Sequence, residues 1–174
     1  TTEELDHDFL WRVHKEVPAK GQIAIFNRSH YEDIIAVRVK KIFPDPVWKR
    51  RYKHVLDFES MLAEEGTVII KLFLNISKEE QKKRLESRLQ DPDKLWKFCM
   101  DDLDDRNRWD EFQTAYQDLI EKTSTPEAPW YIIPADRKWY RNLVVARLMV
   151  EKLRHLQLSL PTPNFDPASI IIPD

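Results

Sequence analysis

An α/β fold built on a parallel sheet is the prediction from this sequence of 174 residues. Two observations carry it. Short apolar runs at 22–26, 67–76 and 130–133 alternate with stretches of helical periodicity. Strands separated by helices imply parallel pairing through right-handed crossovers. The strongest run, with Val68, Ile69, Ile70, Leu72, Phe73 and Leu74, is nearly continuous in apolar side chains. That suits a central strand covered on both faces.

The elements follow in order. Residues 3–15 read as an amphipathic helix, with Leu5, Phe9, Leu10 and Val13 on its apolar face and Thr2 as cap. Pro18 and Gly21 break it, and a strand spans Gln22–Phe26. A helix runs from Ser29, its cap, to about Val39. Phe43-Pro44-Asp45-Pro46 is a turn, and Pro46 suits the first position of a long helix over 47–64. Gly66 stops that helix. After the strand at 67–76, Ser77-Lys78-Glu79-Glu80 is a capping box for a helix to about Leu89. Asp91-Pro92-Asp93 is a break, residues 106–122 form a helix, and Trp130–Ile133 is a third strand closed by Pro134. Asp136 or Arg137 opens a last helix to about Leu156. The tail, 160–174, holds Pro161, Pro163, Pro167 and Pro173 and is expected to be extended.

Composition excludes several functions. A formal net charge of -2 gives no global basic field, so no nucleic-acid partner is expected and any polyanion site must be local. Cys99 is the single cysteine, which rules out a disulfide framework and points to a reducing cytoplasm. No apolar run approaches the ~20 residues of a membrane span, and no signal-peptide pattern opens the chain. Glycine occurs only at 21 and 66, so neither G-x-x-x-x-G-K-[ST] nor G-x-G-x-x-G is present.

Three segments carry candidate chemistry. Asn27-Arg28-Ser29-His30-Tyr31-Glu32-Asp33 lies just past a strand end, where open α/β sheets bind ligands. Its residue types supply a metal ligand, an anion clamp and polar hooks, which suggests Mg²⁺-dependent phosphate chemistry. The alternative is a solvated turn with Ser29 as a helix cap. The helix from Ser77 carries Lys82, Lys83, Arg84 and Arg88, followed by Lys94, Lys97, Arg106 and Arg108. Arg84 and Arg88 are four apart and share a face. Two guanidiniums one turn apart can grip a chain of phosphates through paired donors, although a solvated face balanced by Glu79, Glu80 and Glu86 is the ordinary reading of such a helix taken alone. A basic helix after a strand end, a Trp-containing polar stretch and a returning helix make a lid pattern over 77–122. Asp101-Asp102-Leu103-Asp104-Asp105 has no metal-ligand spacing and is expected at a helix start. Neither the histidines nor Cys99 assemble a ligand set or a nucleophile–base pair.

These segments together resemble the family-2 polyphosphate kinases. The resemblance rests on Phe26 to Asp33, Ser77 to Gln81, Asp91-Pro92 with Lys94, Trp96, Lys97 and Phe98, Asp105-Arg106 with Trp109-Asp110, Ala128-Pro129-Trp130, and Pro134 to Asn142. It runs in order to about Glu151. It implies a three-layer α/β/α, P-loop-kinase-like domain over 1–159 with a helical lid. The family's N-terminal strand and phosphate loop are absent from these residues, so this chain alone is expected to be inactive and a longer protein is expected to hold the whole site. The implied reaction moves a phosphoryl group between inorganic polyphosphate and nucleoside mono- or diphosphates, with Mg²⁺ as cofactor. Asp33 is then the Mg²⁺ ligand, with Arg28 and Asn27 also catalytic. Arg84, Arg88, Lys94, Lys97 and Arg106 bind phosphate, and Glu32 and His30 bind nucleotide. A homo-oligomer is expected. Two other readings compete: a kinase using a nucleoside triphosphate donor, and a non-catalytic polyanion-binding module.

Overall fold

A computed structural model describes residues 1–173; Asp174, the last residue of the expected tail, lies outside the described residues. The core is helical. Helix α3 (Glu32–Val39), helix α4 (Asp45–Glu64) and helix α7 (Trp109–Thr123) pack around Ile34, Ile35, Val55, Ala115 and Leu119. Tyr31, Trp48 and Tyr52 join them, and Phe9, Phe112 and Trp130 close the rim. Pro46 sits in the first turn of α4 as expected. Gly66 ends that helix at φ +92°, a left-handed conformation that glycine adopts without a Cβ clash.

Strand β1 (Lys71–Asn75) pairs in parallel with strand β2 (Trp130–Pro134), Lys71 opposite Trp130 and Asn75 opposite Pro134. Both are α/β elements in the expected order, and helix α5 (Lys78–Gln90) follows β1 directly. Ser77 caps α5 by accepting from the Glu80 amide at 3.1 Å. A 3-10 turn at Pro92–Lys97 and helix α6 (Asp101–Asn107) lead into α7, and helix α8 (Lys138–His155) follows β2. The acidic run fills the first turn of α6, as its charge predicts.

Five expectations change. The helix over 3–15 splits into α1 (Thr2–Leu5) and α2 (Trp11–His14). Asp8 Oδ1 accepts from the Leu10 amide at 2.9 Å, and that side-chain turn competes with helix continuation. Thr1, not Thr2, caps α1. The segment Gln22–Phe26 is not a strand; no strand lies beside it among the described residues, and Ile23 and Ile25 are exposed. A strand needs a ladder partner, so pattern alone does not make one. The expected helix at 106–122 breaks at Arg108, whose guanidinium donates to the Val39 carbonyl at 3.0 Å. Finally, the run at 67–76 narrows to β1. Val68 and Leu74 are exposed, while the one charged residue in it, Lys71, is buried. Among its described residues the tail has one 3-10 turn at Pro167–Ser169 and no α-helix or strand. Among the described residues no helix is long and apolar enough to cross a membrane.

Candidate phosphate site and helical lid

The polar turn and the lid base are built by different means. Arg28 stands at φ +69°, which turns the chain sharply ahead of α3. Ser29 is not the helix cap: Tyr31 holds that position, and Ser29 Oγ makes only a 3.4 Å contact with the Tyr31 amide. Arg28 pairs through Nε with Glu32 one helical turn on. Asn27 is exposed beside it.

Asp33 is held by two arginines that sequence spacing does not reveal. Arg12 Nη2 bonds Asp33 Oδ2 at 2.8 Å. Arg51 Nη1 bonds the Asp33 carbonyl at 2.6 Å and lies 3.7 Å from its carboxylate. The Arg51 guanidinium also sits over the rings of Phe9 and Phe43. No group of three His, Cys, Asp or Glu side chains forms a metal cluster among the described residues. Asp33 offers one carboxylate, whose Oδ2 is bonded by Arg12. Mg²⁺ takes one or two protein carboxylates and completes its shell with phosphate oxygens and water, so the donor set fits that ion at a phosphate site.

His30, expected to bind nucleotide, lies mostly buried. Its side chain is 13% exposed and turns inward, 3.5 Å from Glu59 Oε1. The ring stacks on Tyr31 at 4.7 Å and meets Phe58 edge-on.

The lid arginines are all engaged within the protein. Arg84 Nε bonds Glu80 at 2.8 Å, and its Nη2 donates to the Ala135 carbonyl at 2.7 Å and the Asp136 carbonyl at 3.2 Å. The Ser77 amide donates to Asp136 Oδ1 at 2.7 Å. These bonds join the start of α5 to the chain leaving β2, so both strand ends meet at the lid base. Arg106 donates to the Lys78 carbonyl at 2.7 Å and to Gln81 at 2.9 Å, tying α6 to α5. Arg88 reaches Asp102 at 3.3 Å. Lys94 pairs with Asp91, and Lys97 lies over the Trp96 ring at 5.0 Å. Lys40 bonds Asp105 at 2.8 Å, so the lid also touches the end of α3.

The comparisons with known proteins decide the family. The profile described as Polyphosphate kinase 2 matches residues 1–160. The chain belongs to the polyphosphate kinase 2 family. An AMP/ADP-polyphosphate phosphotransferase of Meiothermus ruber is 54% identical over 172 residues, which is 99% of this chain and 64% of the relative. An ADP-polyphosphate phosphotransferase of Rhodopseudomonas palustris is 39% identical over 170 residues, 91% of this chain and 59% of the relative. The crystal structure of polyphosphate kinase 2 from Arthrobacter aurescens TC1 superposes with a TM-score of 0.93 at 49% identity, covering 97% of this chain and 60% of that one. The chain thus spans about three fifths of the length of these polyphosphate kinase 2 relatives.

A buried polar network lies directly beneath the turn. Lys71 Nζ bonds Glu59 at 2.7 Å, the Thr123 carbonyl at 2.6 Å and the Tyr31 hydroxyl at 3.1 Å. The Tyr31 hydroxyl in turn donates to Glu59 at 2.6 Å. Burial disfavours charge on Glu59, but the His30 ring, Lys71 and Tyr31 outweigh it and hold the carboxyl below its ordinary 4.5. Burial pushes the Lys71 ammonium down against the pull of Glu59, and burial with the Glu59 charge raises the Tyr31 hydroxyl far above its usual value. A carboxyl lowered by folding contributes stability above its unfolded value of 4.5 and loses it as pH falls through the folded one. Urea midpoints taken from about pH 6 to about pH 3 are therefore expected to fall less steeply in Glu59→Gln than in wild type. Equal slopes would mean that folding does not lower the Glu59 carboxyl.

Proposed function

We propose that this protein transfers a phosphoryl group between inorganic polyphosphate and nucleoside mono- and diphosphates, with Mg²⁺ as cofactor. The observation that carries the proposal is 54% identity, across 99% of the chain, to a relative named for that reaction with AMP and ADP. The basic lid agrees with it. Phosphoryl transfer asks chiefly for positioning and charge neutralisation, and no nucleophilic Ser, Cys or His is needed. Asp33 would hold Mg²⁺, which when bound spreads charge over the phosphate oxygens.

Asn27 and Arg28 would orient the transferred group, with Glu32 toward the nucleotide. Arg84, Arg88, Arg106, Lys94 and Lys97 would exchange their protein partners for polyphosphate oxygens as the 77–122 lid closes and excludes water. Ile171 and Ile172 in the tail are 90% and 87% exposed, which supports a homo-oligomer that covers them. A cytoplasmic setting supplies nucleotide and agrees with the single free cysteine. The test is the donor. The full-length protein, given polyphosphate and Mg²⁺, should convert AMP to ADP and ADP to ATP. Turnover only with a nucleoside triphosphate donor would overturn the proposal.

A further inference from the structure

Lys71 and Glu59 have no part in the proposed chemistry, yet they are the only buried charged residues among those described. Their side chains are 5% and 4% exposed. An ammonium has three protons, and Lys71 places one each on Glu59, the Tyr31 hydroxyl and the Thr123 carbonyl. The four groups come from four elements. Tyr31 lies inside the polar turn, between Arg28 and Asp33. Glu59 is on α4, Lys71 opens β1, and Thr123 is the last residue of α7, where the lid returns to the body.

Stability is a poor reason for this arrangement. Well-packed apolar residues of similar volume often match or exceed a buried ion pair in stability. What a fully bonded network adds is one fixed geometry, because any displacement strands a buried charge. The Trp130 indole extends the fixed set. It donates to Thr123 Oγ1 at 2.9 Å, and its ring meets Tyr31 edge-on at 4.9 Å.

We propose that Lys71, Glu59 and Tyr31 are positioning residues that couple α7, the core helix into which the lid segment returns, to the turn bearing Arg28 and Asp33. Lid closure over polyphosphate and placement of that turn then happen as one event. The inference rests on the polyphosphate reading above.

The test uses the full-length protein, Tyr31→Phe, and the double variant Glu59→Gln/Lys71→Met, which removes both charges together. Tyr31→Phe loses a single oxygen and carries the test if the double variant does not fold. Hydrogen exchange is followed at residues 27–33 and 78–107, with and without long-chain polyphosphate. In wild type, polyphosphate is expected to slow exchange in both segments. In the variants protection is expected to persist in 78–107 and to be lost in 27–33. The kcat is expected to fall about ten- to a hundredfold, as for a catalytic group displaced by an ångström, with KM for polyphosphate within about twofold. Preserved protection of 27–33 with near-normal kcat overturns the coupling, even if the melting temperature drops. Wild type without turnover or protection by polyphosphate overturns the donor reading and this inference together. Normal wild-type turnover with unaltered variants overturns this inference alone.

Discussion

Asp33→Asn is expected to lower Mg²⁺-dependent transfer from polyphosphate by about two to three orders of magnitude in the full-length protein, equivalent to roughly 3–4 kcal/mol of transition-state stabilisation. Asparagine keeps the shape and one carbonyl oxygen but removes the charge. The fold should survive, because a partly exposed pair such as Arg12–Asp33 is worth about 0–1 kcal/mol. The competing explanation is that Asp33 only anchors Arg12. Arg12→Ala separates the two. It breaks the same ion pair and leaves the carboxylate in place beside Arg51, so the Mg²⁺ concentration for half-maximal rate should rise in Asp33→Asn and not in Arg12→Ala. Calorimetric titration of Mg²⁺ in the presence of ADP gives the same comparison without turnover. Near-normal rates in Asp33→Asn at matched Mg²⁺ would reject the ligand role.

Arg84→Ala and Arg88→Ala are each expected to cost about ten- to a hundredfold in kcat/KM for polyphosphate, because a charge-assisted contact contributes about 1.5–3 kcal/mol when desolvated. The two should differ in a second respect. Arg84 already bonds the Ala135 and Asp136 carbonyls, so its loss also loosens the lid base from the end of β2. Arg88 holds only longer contacts to Asp102 and the Lys97 carbonyl. Arg84→Ala should therefore raise nucleotide-independent hydrogen exchange at 77–84 and Arg88→Ala should not. Lysine at either position should rescue in part, since it keeps the charge and loses the planar fork. Wild-type kcat/KM in both single variants and the double variant would make this helix a solvated surface.

Local chemistry made much of the fold legible. Pro46, Gly66, the Ser77 cap and the acidic start of α6 act within a few residues, and each stands where the sequence places it. Gln22–Phe26 shows the limit. Its composition is right for a strand, but a strand is a property of a pair, and none lies beside it among the described residues. The site divides in the same way. Arg28, Asp33 and the lid arginines could be singled out because they cluster in sequence. Arg12 and Arg51 sit 21 and 18 residues from Asp33 and touch it only through tertiary packing. Lys71 was hidden by its neighbours, since an apolar run reads as uniform packing even when its one charge is the most enclosed member.

The backbone at Arg28 has an engineering consequence. A side chain other than glycine held at φ +69° strains the chain by about 1–2 kcal/mol, and glycine would relieve it. Selection for thermal robustness alone would favour glycine at position 28, and selection for turnover would favour the guanidinium. Libraries screened by melting temperature should therefore exclude this position, because the substitution that hardens the protein also removes the guanidinium proposed to orient the transferred group.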